Sequence, residues 1–231
     1  MNEPRHILSN FDKALEQLRG NLFRMAGLAT QNFTDAARAL AQRDEDLCNR
    51  VIADDEEVDR LEKQIDSEGV AILTRFMPLA HDFRRVFSTI KAATDLERVS
   101  DQAVGIARRA RKLLKEQPLP ETHLLETLFS LALGLLNDSV RALSSEDITL
   151  AGQLKDRDRE LDRLHHEAIE KITRRMEDDP TRAQHYLNLV FIARFIERVG
   201  DHAVNLGEDS VYSSTARDIR HAAGQGKPVG A

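Results

Sequence analysis

Moved along by 103 residues, the sequence falls onto itself. Met25, Leu28, Phe33, Asp35 and Leu40 land on Leu128, Leu131, Leu136, Asp138 and Leu143. Asp44, Leu47, Val51, Asp55 and Asp59 land on Asp147, Leu150, Leu154, Asp158 and Asp162. Further on the offset is 100, the difference being absorbed in a loop around Pro78 in one copy and Asp179-Pro180 in the other. There Glu97 to Val104 (Glu-Arg-Val-Ser-Asp-Gln-Ala-Val) lands on Glu197 to Val204 (Glu-Arg-Val-Gly-Asp-His-Ala-Val), six of the eight positions being identical. A period of this length marks a supersecondary unit used twice.

The unit is helical. Leu15, Leu18, Leu22, Met25, Leu28 and Ala29, then Phe33, Ala36 and Leu40, recur at three- and four-residue spacing and trace one stripe. No Asn-Gly hairpin signal and no sustained alternation of β-branched residues argues for strands. Proline, which breaks a helix interior, falls only at 4, 78, 118, 120, 180 and 228. The pattern predicts helices over 8–42, 45–76 and 80–115, then 121–145, 147–177 and 181–213, with Gln117-Pro118-Leu119-Pro120 as linker. Three amphipathic helices on short loops bury their stripes as an antiparallel bundle. The expected fold is therefore all-α, two tandem three-helix bundles over 1–116 and 121–213. The small, polar stretch 214–231 is expected to be a disordered tail.

Carboxylates recur at helical spacing in both copies. Glu97 and Asp101 share a helix face, as do Glu197 and Asp201; the middle helices carry Asp55 with Asp59 and Asp158 with Asp162. Like charges four residues apart destabilise a helix by a few tenths of a kcal/mol, so four such pairs call for compensation. A cation held by oxygen ligands from facing helices is one source. His165, three residues after Asp162, lies on the same face, where the first copy has Glu62. Salt bridges are the other source: Arg98 and Arg198 precede Asp101 and Asp201 by three residues, and Arg194 precedes Glu197 by three. Spacing leaves both readings open.

These residues resemble the PhoU family. The second copy reads Phe-Ile-Ala-Arg-Phe-Ile-Glu-Arg-Val-Gly-Asp-His-Ala-Val-Asn over 191–205, close to that family's Glu-Arg-(Ile/Val)-Gly-Asp-His-Ala-x-Asn signature. The first reads Lys-Ala-Ala-Thr-Asp-Leu-Glu-Arg-Val-Ser-Asp-Gln-Ala-Val-Gly over 91–105. Phe11 to Leu15 and Asp82 to Arg84 also fit, so the resemblance spans about 8–212. It implies a cytoplasmic negative regulator of the phosphate-starvation response, peripheral to a membrane transporter. Its implied partners are the ATPase subunit of a phosphate ABC transporter and a sensor histidine kinase, and it implies a homodimer. It also implies a multinuclear metal site (iron, zinc, manganese or magnesium) on Glu97, Asp101, Glu197 and Asp201, with Asp55, Asp59, Asp158 and Asp162 as candidates from the facing helices. Ser100, Gln102 and Gly105 depart from the signature. The first site is expected to be the weaker, and Ser100 and Gly105 to affect packing only.

Other classes fit less well. A formal net charge of −6, no Trp and two Tyr argue against a nucleic-acid binder. No apolar run is long enough to insert in a bilayer, the opening residues lack a signal-peptide pattern, and the lone Cys48 excludes an intrachain disulfide. Hydrolase, P-loop and zinc-protease motifs are absent and no Glu-x-x-His pair falls on a predicted helix, which argues against an enzyme. Rival readings are a carboxylate-bridged di-metal metalloprotein and a metal-free interaction module. Arg108, Arg109, Arg111, Lys112 and Lys115 read as cations complementing a helix C-terminus, His165 and His166 as surface or packing residues, and Cys48 as packing. Gly224 to Lys227 resembles a phosphate loop only superficially, with no preceding strand.

Overall fold

The structure is a computed structural model, and it describes residues 4–219. Six long helices follow the predicted order: α1 (Pro4–Gln42), α2 (Glu45–Phe76), α3 (Ala80–Leu113), α4 (Leu124–Ser145), α5 (Ile148–Asp178) and α6 (Ala183–Thr215). Short 3-10 turns, Pro120–His123 and Pro180–Arg182, lead into α4 and α6. Their prolines supply the fixed φ of a helix start and give up an amide that would be orphaned there. No strand occurs among the described residues. Ser214 and Thr215, expected in the tail, instead complete α6. The remainder from residue 220, Gly224 to Lys227 included, lies outside the described residues.

The turns repeat as the sequence does. Asp44 caps α2, its carboxylate accepting from Leu47 N at 2.9 Å, and Asp147 caps α5 by accepting from Thr149 N and Leu150 N at 3.0 Å. Such a cap satisfies amide donors that have no intrahelical partner. Arg43 and Glu146, equivalent under the repeat, both take a left-handed backbone, with φ of 56° and 55°. Arg43 then reaches across the bundle and donates to the carbonyls of Leu114 and Glu116, at 2.8 and 2.7 Å, closing the end of α3.

Each half is a three-helix bundle, and α3 packs along α6 to join them. One apolar core runs through both halves. It includes Leu18, Leu22, Phe33, Leu61, Ile65 and Leu96 from the first, and Leu128, Leu135, Leu161, Leu189 and Ile196 from the second. Phe33 on α1 meets Phe129 on α4 with centroids 5.5 Å apart. Both central helices bury many small residues: Ala92, Ala93, Ala103 and Ala107 on α3, and Ala193, Gly200 and Ala203 on α6. No helix among the described residues is long and apolar enough to cross a membrane. Cys48 is buried, as expected for packing.

Candidate functional site

The acidic pairs come together across facing helices, once in each half. In the first half Asp55, Asp59 and Glu62 on α2 face Glu97 and Asp101 on α3. Glu97 is pushed up to about 7, first by burial, then by Asp101, Glu62 and Asp59, with Arg98 opposing. Asp55 and Glu62 are raised as well, chiefly by burial and then by neighbouring aspartates. In the second half Asp158 and Asp162 on α5 face Glu197 and Asp201 on α6. Asp158 is pushed up to about 7 by burial, then by Asp162, Asp201 and Glu197. Glu197 and Asp201 are raised in the same sense, by desolvation and by each other's cluster. Burial lowers His165, on the same face of α5 as Asp162.

Arginines meet part of this charge. Arg194 donates to Glu197 Oε1 at 2.7 Å, and Arg98 lies 3.4 Å from Asp101. Arg98 also comes within 3.3 Å of Glu97 Oε2, though not in hydrogen-bond alignment. The buried oxygens Glu97 Oε2, Asp158 Oδ1 and Glu197 Oε2, and the ring nitrogen His165 Nε2, have no hydrogen-bond partner. Buried polar atoms of this kind are costly and seldom left unmet. Hard oxygen donors, unpaired and partly desolvated on facing helices, suit a divalent cation such as magnesium or manganese. The residues thus fit the group that the family resemblance implies. Among the described residues no three such side chains close on a common point as they stand, so an ion would have to draw them inward.

The two clusters differ at one position. Ser100 is fully buried, donates to Asp55 Oδ1 at 2.7 Å and accepts from Asn32 Nδ2 at 2.9 Å. Ser100 was expected to matter for packing alone; it is instead the middle of a buried hydrogen-bonded chain. At the matching position Gly200 offers no hydroxyl, and a Cβ there would stand 2.4 Å from Leu161 Cδ2 and 2.9 Å from Asp158 Oδ1. The aspartate of the first cluster is therefore answered by protein, whereas its counterpart in the second is not.

The positions equivalent to the other departures lie on the α3–α6 seam. His202 Nδ1 lies 2.9 Å from Asp95 Oδ1, and Asn205 Nδ2 donates to the same oxygen at 3.1 Å. The equivalents of Asp95, His202 and Asn205 are Phe195, Gln102 and Gly105. A Cβ on Gly105 would fall 2.9 Å from Phe195 Cε2. Asp95 is held by an imidazole and an amide, whereas its counterpart Phe195 packs on the bare Gly105. Reading the copies in parallel hid this, because the compensation runs crosswise between them. The basic run at the end of α3 also divides: Arg111 and Lys112 occupy the last turn, but Arg109 donates to Asn188 Oδ1 at 3.1 Å and stacks on Phe191.

A groove of about 1220 Å³, open mouth included, adjoins the second cluster; Arg98, Gln102, Lys155, Asp158, Asp201 and His202 are among the residues lining it. The first half thus contributes Arg98 and Gln102 to the surroundings of the second site.

Comparison with known proteins agrees with this architecture. The family model described as PhoU domain matches residues 22–110 and again 125–210. The phosphate-specific transport system accessory protein PhoU homolog of Pseudomonas putida is 34% identical over 217 residues, covering 94% of this chain and 85% of that protein. The phosphate-specific transport system accessory protein PhoU of Escherichia coli (strain K12) is 32% identical over 224 residues, covering 97% and 93%. The crystal structure of PhoU from Pseudomonas aeruginosa superposes with a TM-score of 0.87 at 32% identity, over 90% of this chain and all of that one. Two matched domains, on two halves that repeat in sequence and in structure, place this chain in the PhoU family.

Proposed function

We propose that this chain is a cytoplasmic, non-enzymatic regulator that represses the phosphate-starvation response, peripheral to a membrane transporter. On this reading it couples the ATPase subunit of a phosphate ABC transporter to a sensor histidine kinase, and acts as a homodimer. The observation that carries the reading is the pair of PhoU domains spanning most of the chain, shared with relatives named as accessory proteins of phosphate-specific transport. Charged helical faces without a catalytic constellation suit an adaptor. Retention of purified ATPase and kinase on the immobilised chain is the test. Binding of neither, with and without phosphate and divalent cation, would refute it.

The acidic clusters are the proposed cation sites. Asp158, Asp162, Glu197 and Asp201, with His165 beside them, would form the better one, because Asp158 and Glu197 keep unanswered buried oxygens there. Asp55, Asp59, Glu97 and Asp101 would form a weaker one, Ser100 already serving Asp55. A bound cation would neutralise carboxylates that repel one another across two helices, tying α5 to α6 and α2 to α3. Elemental analysis of the purified chain against Asp158→Asn/Glu197→Gln is the test: metal retained equally by both would refute the assignment.

A further inference from the structure

Where α1, α3 and the last turns of α6 meet the turn between α4 and α5, the surface opens into a cleft of about 390 Å³, mouth included. Arg19, Arg85, Ser88, Ser213 and Glu146 line it. Ser88 is 1% exposed, and its hydroxyl oxygen is buried without a partner. The neighbouring hydroxyls are occupied: Thr89 donates to Arg85 O and Ser210 to Ala142 O. Leu22, Phe23 and Leu143 complete the lining, and the unanswered buried hydroxyl among the arginines is free to donate to a ligand.

The equivalent place in the second copy opens too, lined by Leu40, Arg43, Leu113, Leu114 and Thr122, but it holds no buried unanswered hydroxyl among the described residues. Asn188, equivalent to Ser88, accepts from Arg109 and donates to Gln184 O at 2.9 Å. Leu113 stands where the first cleft has Ser213. The unanswered hydroxyl belongs to the first end; at the second the atom left unmet is the ring nitrogen His185 Nδ1.

Charge at that end exceeds what the helices need. Two helix C-termini present carbonyls there, and each already has its cation: Arg84 donates to Ser213 O and Arg19 to Ser144 O, both at 3.3 Å. Arg85 serves neither and makes no ion pair among the described residues. Lys91 and Asp209, on the adjoining turns, neutralise each other. Glu146 stands 3.9 Å from Arg19 and is largely exposed, a distance and setting at which a pair is weak.

We propose that this cleft binds a small tetrahedral oxyanion, inorganic phosphate, held by Arg85 and Arg19 with the Ser88 hydroxyl as an inner donor. Guanidinium groups match the spacing of phosphate oxygens, and one anion answers the spare cation and the orphan hydroxyl together. Glu146 competes with the anion for Arg19, so the turn between α4 and α5 feels its arrival. The inference concerns binding alone and rests on neither the partner reading nor the cation reading.

Isothermal titration of the chelator-treated full chain with potassium phosphate, in chloride buffer, tests it. One saturable site is expected. Arg85→Ala and Ser88→Ala should each weaken it, the former by about tenfold or more. Glu146→Gln, which removes the competitor, should tighten it. Asp158→Asn/Glu197→Gln should leave it unchanged, separating this site from the acidic clusters. Thermal melts show whether each variant is folded, and Glu146→Gln keeps the test decisive should Arg85→Ala not fold. Phenyl phosphate should bind more weakly than phosphate; tighter binding would mean that a phosphate ester is the ligand and would overturn the assignment. Absence of saturable binding at millimolar phosphate, or an unchanged affinity in folded Arg85→Ala, would overturn it too.

Discussion

Replacing Ser100 by Ala removes the middle of the chain Asn32–Ser100–Asp55. Asn32 and Ser100 are 3% and 0% exposed, so water cannot readily take the hydroxyl's place. Two groups lose their partner: the Asn32 amide, which donated at 2.9 Å, and the Asp55 carboxylate, which accepted at 2.7 Å. A buried donor left unmet costs ~1–3 kcal/mol, and a hydrogen bond to a charged group is worth ~1.5–3 kcal/mol. The two overlap, because Asp55 is already raised and can take up a proton in place of the lost bond. A net loss of about 2–4 kcal/mol follows. For a chain of this size that lowers the melting temperature by about 5–10 °C. Urea denaturation of chelator-treated protein, with Asp55→Asn and the double variant completing a mutant cycle, measures it. A coupling below about 0.5 kcal/mol would refute the buried network. The same variant gives the first cluster the unanswered aspartate of the second. Manganese should therefore restore more stability to Ser100→Ala than to the unaltered chain.

Three further outcomes follow from the geometry. Glu97 and Asp158, each pushed up to about 7, bind more protons folded than unfolded above their ordinary range. The stability they lend is complete below the unfolded value and is lost as pH rises through 7. In chelator, the unfolding free energy from urea titration should fall from pH 5 to pH 8 by a few kcal/mol at most, and Glu97→Gln should flatten the slope. Gly105→Ala sets a methyl 2.9 Å from Phe195 Cε2 and should cost about 1–3 kcal/mol by overpacking, read as a lower melting temperature. Met77, 75% exposed at the end of α2 with φ of 45°, sits where glycine is at ease; Met77→Gly should stabilise by about 0.5–1 kcal/mol in urea.

The helices were legible because each advertises itself locally. The stripe from Leu15 to Leu40 has a helical period, Asp44 and Asp147 stand at caps, and Pro120 and Pro180 mark entries. Their ends moved by only a few residues, chiefly at the start of α1, which begins at Pro4, and of α4, which begins at Leu124 after a 3-10 turn. The acidic residues were legible too, since their spacing puts them on one face and the repeat puts the faces in corresponding places. Which oxygens go unanswered was not legible. That depends on side chains distant in sequence, such as Asn32 beside Ser100 or Leu161 beside Gly200. Glu62 joins the first cluster although its spacing singled it out only as the counterpart of His165. The seam was hidden for the same reason. Asp95 and Phe195 look unrelated until each is set against the other copy's helix.

That seam makes the two halves non-interchangeable. If two first halves met through α3 as α3 meets α6, Asp95 would face Gln102 and Gly105, with at most one amide donor in place of the imidazole and amide that now hold it. If two second halves met, Phe195 would be driven against His202 and Asn205. Either like-with-like pairing gives up contacts at both copies, while the pairing within a single chain seats Phe195 on Gly105 and gives Asp95 two partners. The contrast between a carboxylate on one edge and an aromatic ring on the other thus works as a key cut for one orientation, directing each half towards its unlike mate.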